Sequence, residues 1–300
     1  DFTTRLQRRL LFCQTKFYPD TLMKTRILSS WCLLAVVCAF SFFTLMSSQM
    51  MSKAQQPFPE AAVINVQTRY GAKGDGITDD TSAIQKALNE NAGIIYLPDG
   101  EYLVSDSLKW MGQDGKWAPF RTLQGQSREK TIIRLKDKTF TDSQKPQGVI
   151  HTASIPSQWP ADSPQVGSGH NAFNNNVYDL TIDTGRGNSG AIGLDFNASN
   201  VGTVENVSIR SGDENRIGVT GLSLLRYVGP CLIKNVSIEG FDVGIDSDDW
   251  DLSQTFENIT LKHQRKVGIR NTNNLLSFRK LHSVNQVSVI ENNRDVGGIA

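Results

Sequence analysis

Four short segments of this 300-residue chain repeat one pattern: VYDLTI at 177–182, VENVSI at 204–209, IKNVSI at 233–238 and FENITL at 256–261. A fifth, FRKLHS at 278–283, keeps the apolar first and fourth positions, and the leading residues stand 27, 29, 23 and 22 positions apart. A second apolar set trails each segment: Ile192-Gly-Leu194, Val219-Thr-Gly221-Leu222, Val243-Gly-Ile245, Val267-Gly-Ile269 and Val287-Ser-Val289. Each period therefore holds two short alternating runs, the signature of strands, joined by polar turns with no helix between them. Helical repeats need longer amphipathic segments, and leucine-rich repeats need their own leucine spacing. A sandwich or propeller needs regular hairpin signals, which are scarce here. What fits is a solenoid whose coils pair at about 4.8 Å and whose inward residues stack into one continuous core. The predicted fold is all-β, a right-handed parallel β-helix running from about Val63 to the C-terminus.

The third position of the repeat reads Asp179, Asn206, Asn235, Asn258 and Lys280. Three asparagines in one column predict a stacked amide ladder at a turn, each side chain bonding to its neighbours above and below. Upstream, TDDTSAIQKALNENAG at 78–93 carries the clear helix signal. Asp79, Asp80 and Thr81 can cap or charge its start, Ile84, Ala87, Leu88 and Ala92 form an apolar face, and Gly93 is a stop signal. This helix is expected to cover the open end of the core, where bare strand edges would invite aggregation. The next residues, IIYLPDGEYLV at 94–104, read as strand, turn, strand.

The run YGAKGDGITDDT at 70–81, with Ala83-Ile84-Gln85 and Ala87-Leu88, resembles the opening of the pectate lyase superfamily. More narrowly it is similar to the rhamnogalacturonase/epimerase-like pectate lyase domain, whose following strand-turn-strand matches residues 94–104. The resemblance covers residues 63–300, tightly over 68–104 and as repeat pattern afterward. It implies a right-handed parallel β-helix and a polysaccharide as partner. Similar openings occur in exo-1,3-glucanases, polygalacturonases and phage tailspikes, so the motif is more specific for fold than for activity. Asp75, Asp79 and Asp80 lack the alternating oxygen ligands and distal glutamate of an EF-hand. They are expected to form a tight Gly-Asp-Gly turn and a helix cap.

At the other end of the chain, Lys24 and Arg26 precede an apolar run at 31–46, and Ser52-Lys53-Ala54 offers small residues before Gln55. Residues 23–54 are read as a secretory signal with cleavage before Gln55. A retained membrane anchor is the alternative, since no charge occurs between Ile27 and Ser52. Residues 1–22 show no pattern, and residues 55–300 form the β-helix domain. The expected location is secreted, extracellular or periplasmic. Of 31 Lys/Arg and 30 Asp/Glu, seven and two lie in residues 1–54; the remainder carries 24 basic and 28 acidic groups, a charge of about −4. That balance argues against nucleic acid as the main partner. Cys13, Cys32 and Cys38 leave with the leader, so only Cys231 remains and the core must stabilise itself without disulfides. The repeat runs to residues 297–300 without a capping segment, which leads us to expect a chain that continues further.

Enzymes of this architecture that act on polysaccharides use carboxylates on an outer face, where a sugar chain can lie along the stacked strands. The repeat register predicts one polar column: Asp195, Ser223, Asp246 and Arg270. Asp195 and Asp246 stand two coils apart, roughly 9–10 Å, near the upper limit for an inverting glycosidase pair and too wide for a retaining one. Arg270 is placed to bind a uronate carboxylate. The bland alternative is that the column is only the solvated edge of the solenoid. Asp246, Asp248 and Asp249 with Trp250 form the densest acidic cluster, in which carboxylates separate their acid and base roles and the indole stacks on a sugar. Asp248-Asp249 resembles the acidic pair of polygalacturonases. That family's Asn-Thr-Asp, Gly-His-Gly and Arg-x-Lys elements are absent: Gly169-His170 has no following glycine, and Arg265 and Lys266 are adjacent. His170 is a further acid/base or binding candidate, and Trp159 can border a groove. The expected activity is hydrolysis of an acidic or plant/algal polysaccharide. A lyase, which would add calcium, is the enzymatic alternative, and a glycan-binding or spacer solenoid is the non-catalytic one. No metal-ligand spacing, phosphate loop or nucleophile elbow is present, so no cofactor is otherwise expected.

Overall fold

The computed structural model describes residues 63–90, 93–152, 172–225, 228–248, 253–272 and 274–293. The leader read at 23–54 and the segment 1–22 lie outside the described residues, as do Trp159, His170, Asp249 and Trp250. Among the described residues the strands form two parallel sheets, one of thirteen strands and one of seven. Val177 pairs with Val204, Val204 with Ile233, Ile233 with Phe256 and Phe256 with Phe278, as the repeat spacing requires. The fold is a parallel β-helix.

The inward column begins further upstream than the repeat. Ile64 pairs with Ile95, Ile95 with Leu123 and Leu123 with Val177, so one stack runs from Ile64 to Phe278. Ile95, Leu123, Val177, Val204, Ile233 and Phe256 within it are fully buried. The strands Ile94–Leu97 and Gly100–Val104 do not pair with each other. They pair with Thr122–Gly125 and Thr131–Leu135 of the next coil, so the Pro98-Asp99-Gly100 turn is a corner and not a hairpin. Its geometry is held locally: the Tyr102 hydroxyl donates to Pro98 O at 2.8 Å and Ser127 Oγ donates to Asp99 at 2.7 Å.

The third-position column marks a second corner. Asp179, Asn206, Asn235, Asn258 and Lys280 all adopt left-handed backbone, with φ of 54, 57, 52, 55 and 62°. Asn and Asp tolerate that region because their short side chains bond locally. Asn206 Nδ2 donates to Asp179 Oδ1 at 2.6 Å and Asn258 Nδ2 to Asn235 Oδ1 at 2.9 Å, so the side chains link the coils as two pairs and not as one unbroken ladder. The recurrent glycine of the second set has a different cause. A Cβ at Gly244 would lie 2.5 Å from Gly268 O, and one at Gly221 would lie 2.3 Å from Ile238 Cγ2. No side chain fits there without displacing backbone or core.

Two readings shift by small amounts. The helix, α2 below, covers Thr81–Asn89 and stops before Gly93, burying Ile84, Ala87 and Leu88. Asp80 holds the N-cap position but turns its carboxylate inward to accept from Lys73 N and Gly74 N at 2.7 and 2.9 Å, and Asp79 before it accepts from Thr81 N at 3.0 Å. Asp75 accepts from Ile77 N and Thr78 N, which closes the Gly-Asp-Gly turn and holds its carboxyl below the usual range. A short helix α1, Val66–Tyr70, precedes it and escaped the sequence pattern; Asn65 caps it and Gly71 ends it at φ 73°. In the last coil Val267 pairs with Ser288 and Ile269 with Ile290, one residue later than Val287-Ser-Val289 implied. Three apolar residues within 287–290 leave the register open to pattern. Cys231 is buried in the core and its thiol is pushed up to about 12 by that burial.

Candidate functional site

The polar column exists and is longer than the repeat foretold. Asp195 pairs with Ser223, Ser223 with Asp246 and Asp246 with Arg270. Upstream, Asp195 pairs with His151 and His151 with Lys109. Lys109, His151 and Asp195 are thus successive rungs on the seven-stranded sheet, about 4.8 Å apart. The column is not a solvated edge: Asp195, Ser223 and Asp246 are 1, 2 and 7 % exposed. His151 was missed because its strand, Gln147–His151, lacks the Val-Gly-Ile signature: Ile150 takes the place of Leu194, but Gly148 stands opposite Ile192.

Local sequence explains how the cleft is shaped. After the two-residue strand Leu108–Lys109, the chain reverses through Gly112-Gln113-Asp114-Gly115, and Met111 bridges Trp117 in antiparallel fashion. Gly115 takes φ 73°, the conformation such a turn demands. The reversal lays Trp117 on His151 with ring centroids 4.8 Å apart. Lys109 is fixed from its open side by α2: the Gln85 amide donates to Lys109 O and accepts from Lys109 N, both at 2.8 Å. That side chain thereby pairs the Lys109 N–H at the edge of the sheet and shares Lys109 O with Met111 N, which donates at 2.9 Å. Lys109, Met111, Trp117, His151 and Asp195 line a cleft of about 330 Å³. His151 Nε2 lies 3.7 Å from Asp195 Oδ2, and Ser223 Oγ donates to Asp195 Oδ1 at 3.3 Å.

Asp246 and Arg270 meet each other. Arg270 Nε donates to Asp246 Oδ1 at 3.0 Å and Nη2 to Oδ2 at 2.7 Å, a two-point clamp that pushes the guanidinium pKa up. Both oxygens of the expected second carboxylate are occupied, and the arginine expected to hold a uronate is engaged by the protein. This pair is a strut between coils. Arg270→Ala is expected to cost about 2 kcal/mol, less than the ~3–5 of a fully buried pair because water reaches the arginine. Urea titration of R270A against R270A/D246N checks this: the double variant recovers part of the loss once the buried charge is gone.

Asp248 is half-buried beyond the strand Val243–Ser247, and its N–H donates to Leu224 O at 3.4 Å. It belongs to the corner and has no rung in the column. Asp249 and Trp250, with Trp159 and His170, fall outside the described residues. Among the described residues no three His, Cys, Asp or Glu side chains converge as metal ligands.

Part of this chain is similar in sequence to known proteins. Alginate lyase 7 of Azotobacter vinelandii is 32% identical over 160 residues, 47% of this chain and 16% of that protein. Mannuronan C5-epimerase AlgE1 of the same organism is 32% identical over 169 residues, 50% of this chain and 10% of that protein. The solved structure of Geobacillus virus E2 ORF18 superposes with a TM-score of 0.44 at 16% identity, covering 93% of this chain and 64% of that one. The chain spans about a sixth or less of the length of these two curated relatives. The rhamnogalacturonase A/epimerase, pectate lyase-like family matches residues 63–297, nearly all of the coils described above. This chain belongs to that family.

Proposed function

We propose that the chain acts on an acidic polysaccharide at the Lys109–His151–Asp195 column, by removing the proton next to a uronate carboxylate. The observation that carries this reading is the order of the rungs. A cation, an imidazole and a buried carboxylate stand on adjacent coils beneath an indole. Abstraction α to a carboxylate needs a base within reach of the C–H and a cation on the carboxylate as negative charge builds. His151 supplies the base, Asp195 orients it, Lys109 faces the carboxylate and Trp117 stacks on a ring. The C–H electron pair then either expels the 4-linked sugar oxygen, which takes a proton from water and leaves a double bond, or is reprotonated by water on the other face. Hydrolysis fits less well, because Arg270 already holds both oxygens of Asp246. The names of two relatives, an alginate lyase and a mannuronan C5-epimerase, agree with the proton-transfer reading.

A panel of uronate and neutral polysaccharides, followed by ultraviolet absorbance and reducing ends, tests it. Unsaturated ends, or an inverted C5 centre by NMR, support the proposal. Reducing ends without absorbance would return the chain to hydrolysis, and binding without any product would make it a glycan-binding solenoid. Parallel assays with added calcium and with chelator read whether turnover needs a cation.

A further inference from the structure

A second cleft, of about 440 Å³, opens where three turns meet, at residues 214–216, 263–265 and 286–287. These turns lead from the thirteen-stranded sheet into the seven-stranded one, at the starts of strands whose far ends carry Ser223, Arg270 and Glu291. The cleft shares no lining residue with the one around His151. Its walls are built by backbone. Arg216 N donates to Asp213 O at 2.9 Å, Arg216 O accepts from Phe241 N at 2.9 Å, and His263 N donates to Val284 O at 3.1 Å. Behind them the buried Gln264 amide donates to Ile238 O and Gly240 O, both at 3.1 Å, and accepts from Asn285 Nδ2 at 2.7 Å.

Into this frame the chain places nitrogen donors. Arg216, His263 and Arg265 line the cleft against one carboxylate, Glu214. Arg265 is shared with Asp242 at 3.3 Å, whose other oxygen is 2.8 Å from Lys266. Among the described residues the Arg216 guanidinium and the His263 ring make no hydrogen bond or ion pair. Both residues sit at left-handed φ, 56 and 59°, which costs roughly 1 kcal/mol or more for side chains of this kind. A preformed concavity with unspent forked donors and positive balance recognises an oxyanion.

We propose that this cleft is a second binding subsite, remote from the candidate catalytic column, for the acidic groups of a glycan chain: uronate carboxylates or sulfate esters. That the anion is carried by a glycan rests on the function proposed above; the anion preference rests on the cleft alone. Affinity electrophoresis of the full chain through gels holding polygalacturonate, or dextran sulfate in a parallel gel, tests it. Arg216→Asn/His263→Asn keeps a residue type that accepts left-handed backbone, and its apparent affinity is expected to fall about tenfold. Lys136→Ala/Lys145→Ala removes at least as much charge from exposed positions elsewhere and is expected to migrate as wild type. Equal retardation of the cleft variant and wild type overturns the proposal, and so does an equal loss in the lysine control, which would mean a diffuse field. A loss in only one gel names the anion. Failure of turnover on every polysaccharide would leave this binding result intact, so the two proposals fail separately.

Discussion

Asparagine in place of Asp195 is expected to lower turnover of a uronate polymer by about 10²–10⁴-fold, the usual worth of one positioned acid–base group. Asp195 is almost fully buried beside His151 and accepts from Ser223, so the amide keeps the shape and removes the charge that aligns and supports the imidazole. His151→Gln is expected to lose a similar factor. The double variant should fall little below the weaker single one, because groups that act as a unit do not contribute additively. Lys109→Met should act on the same step by leaving the developing carboxylate charge unneutralised. Asp246→Asn distinguishes this site from a two-carboxylate hydrolase: it should cost stability through Arg270 and far less turnover. Full activity in D195N with none in a folded D246N would reverse the assignment. Initial rates at 235 nm and a melting curve for each variant give the comparison.

Phe256→Ala should produce the largest loss of stability. Phe256 is fully buried at the last rung but one of the inward stack and lies against Phe278 of the next coil, ring centroids 4.7 Å apart and 15° from parallel. Removing a buried phenyl group costs about 3–5 kcal/mol, since a packed neighbourhood relaxes only partly into the cavity. For a chain of this size each kcal/mol lowers the midpoint by about 2–4 °C, so a fall on the order of 10 °C is expected. Phe256→Leu keeps most of the volume and should cost less than ~1.5 kcal/mol. Thermal melts followed by circular dichroism separate the two. A similar small shift for both variants would mean that the stack carries little of the stability of this coil.

The column that carries the proposed chemistry was half legible. Asp195, Ser223, Asp246 and Arg270 follow from counting one residue past Leu194, Leu222, Ile245 and Ile269, because residues that pair between coils share a face. His151 and Lys109 sit on the same column, but their coils carry long insertions, and no fixed spacing leads back to them. Trp117 reaches His151 through a hairpin whose Gly-Gln-Asp-Gly turn could be read, while the ring it lands on could not. The ion pair that engages Asp246 escaped the sequence for a related reason. Adjacent charges in a register list do not say whether they face a ligand or each other, and Arg270 is long enough to reach back.

What the chain determined by itself is the coil. Period, inward apolar columns, the asparagine corner and the close-packed glycine all follow from local pattern, since each coil needs only its neighbour to bury its core and pair its backbone. The tertiary structure decided which polar side chains meet. It joined Lys109, His151 and Asp195 across insertions of unequal length, closed Arg270 onto Asp246, and gathered Arg216 and His263 from turns 47 residues apart. Those meetings depend on where insertions let the next coil begin, a long-range outcome that no local periodicity encodes.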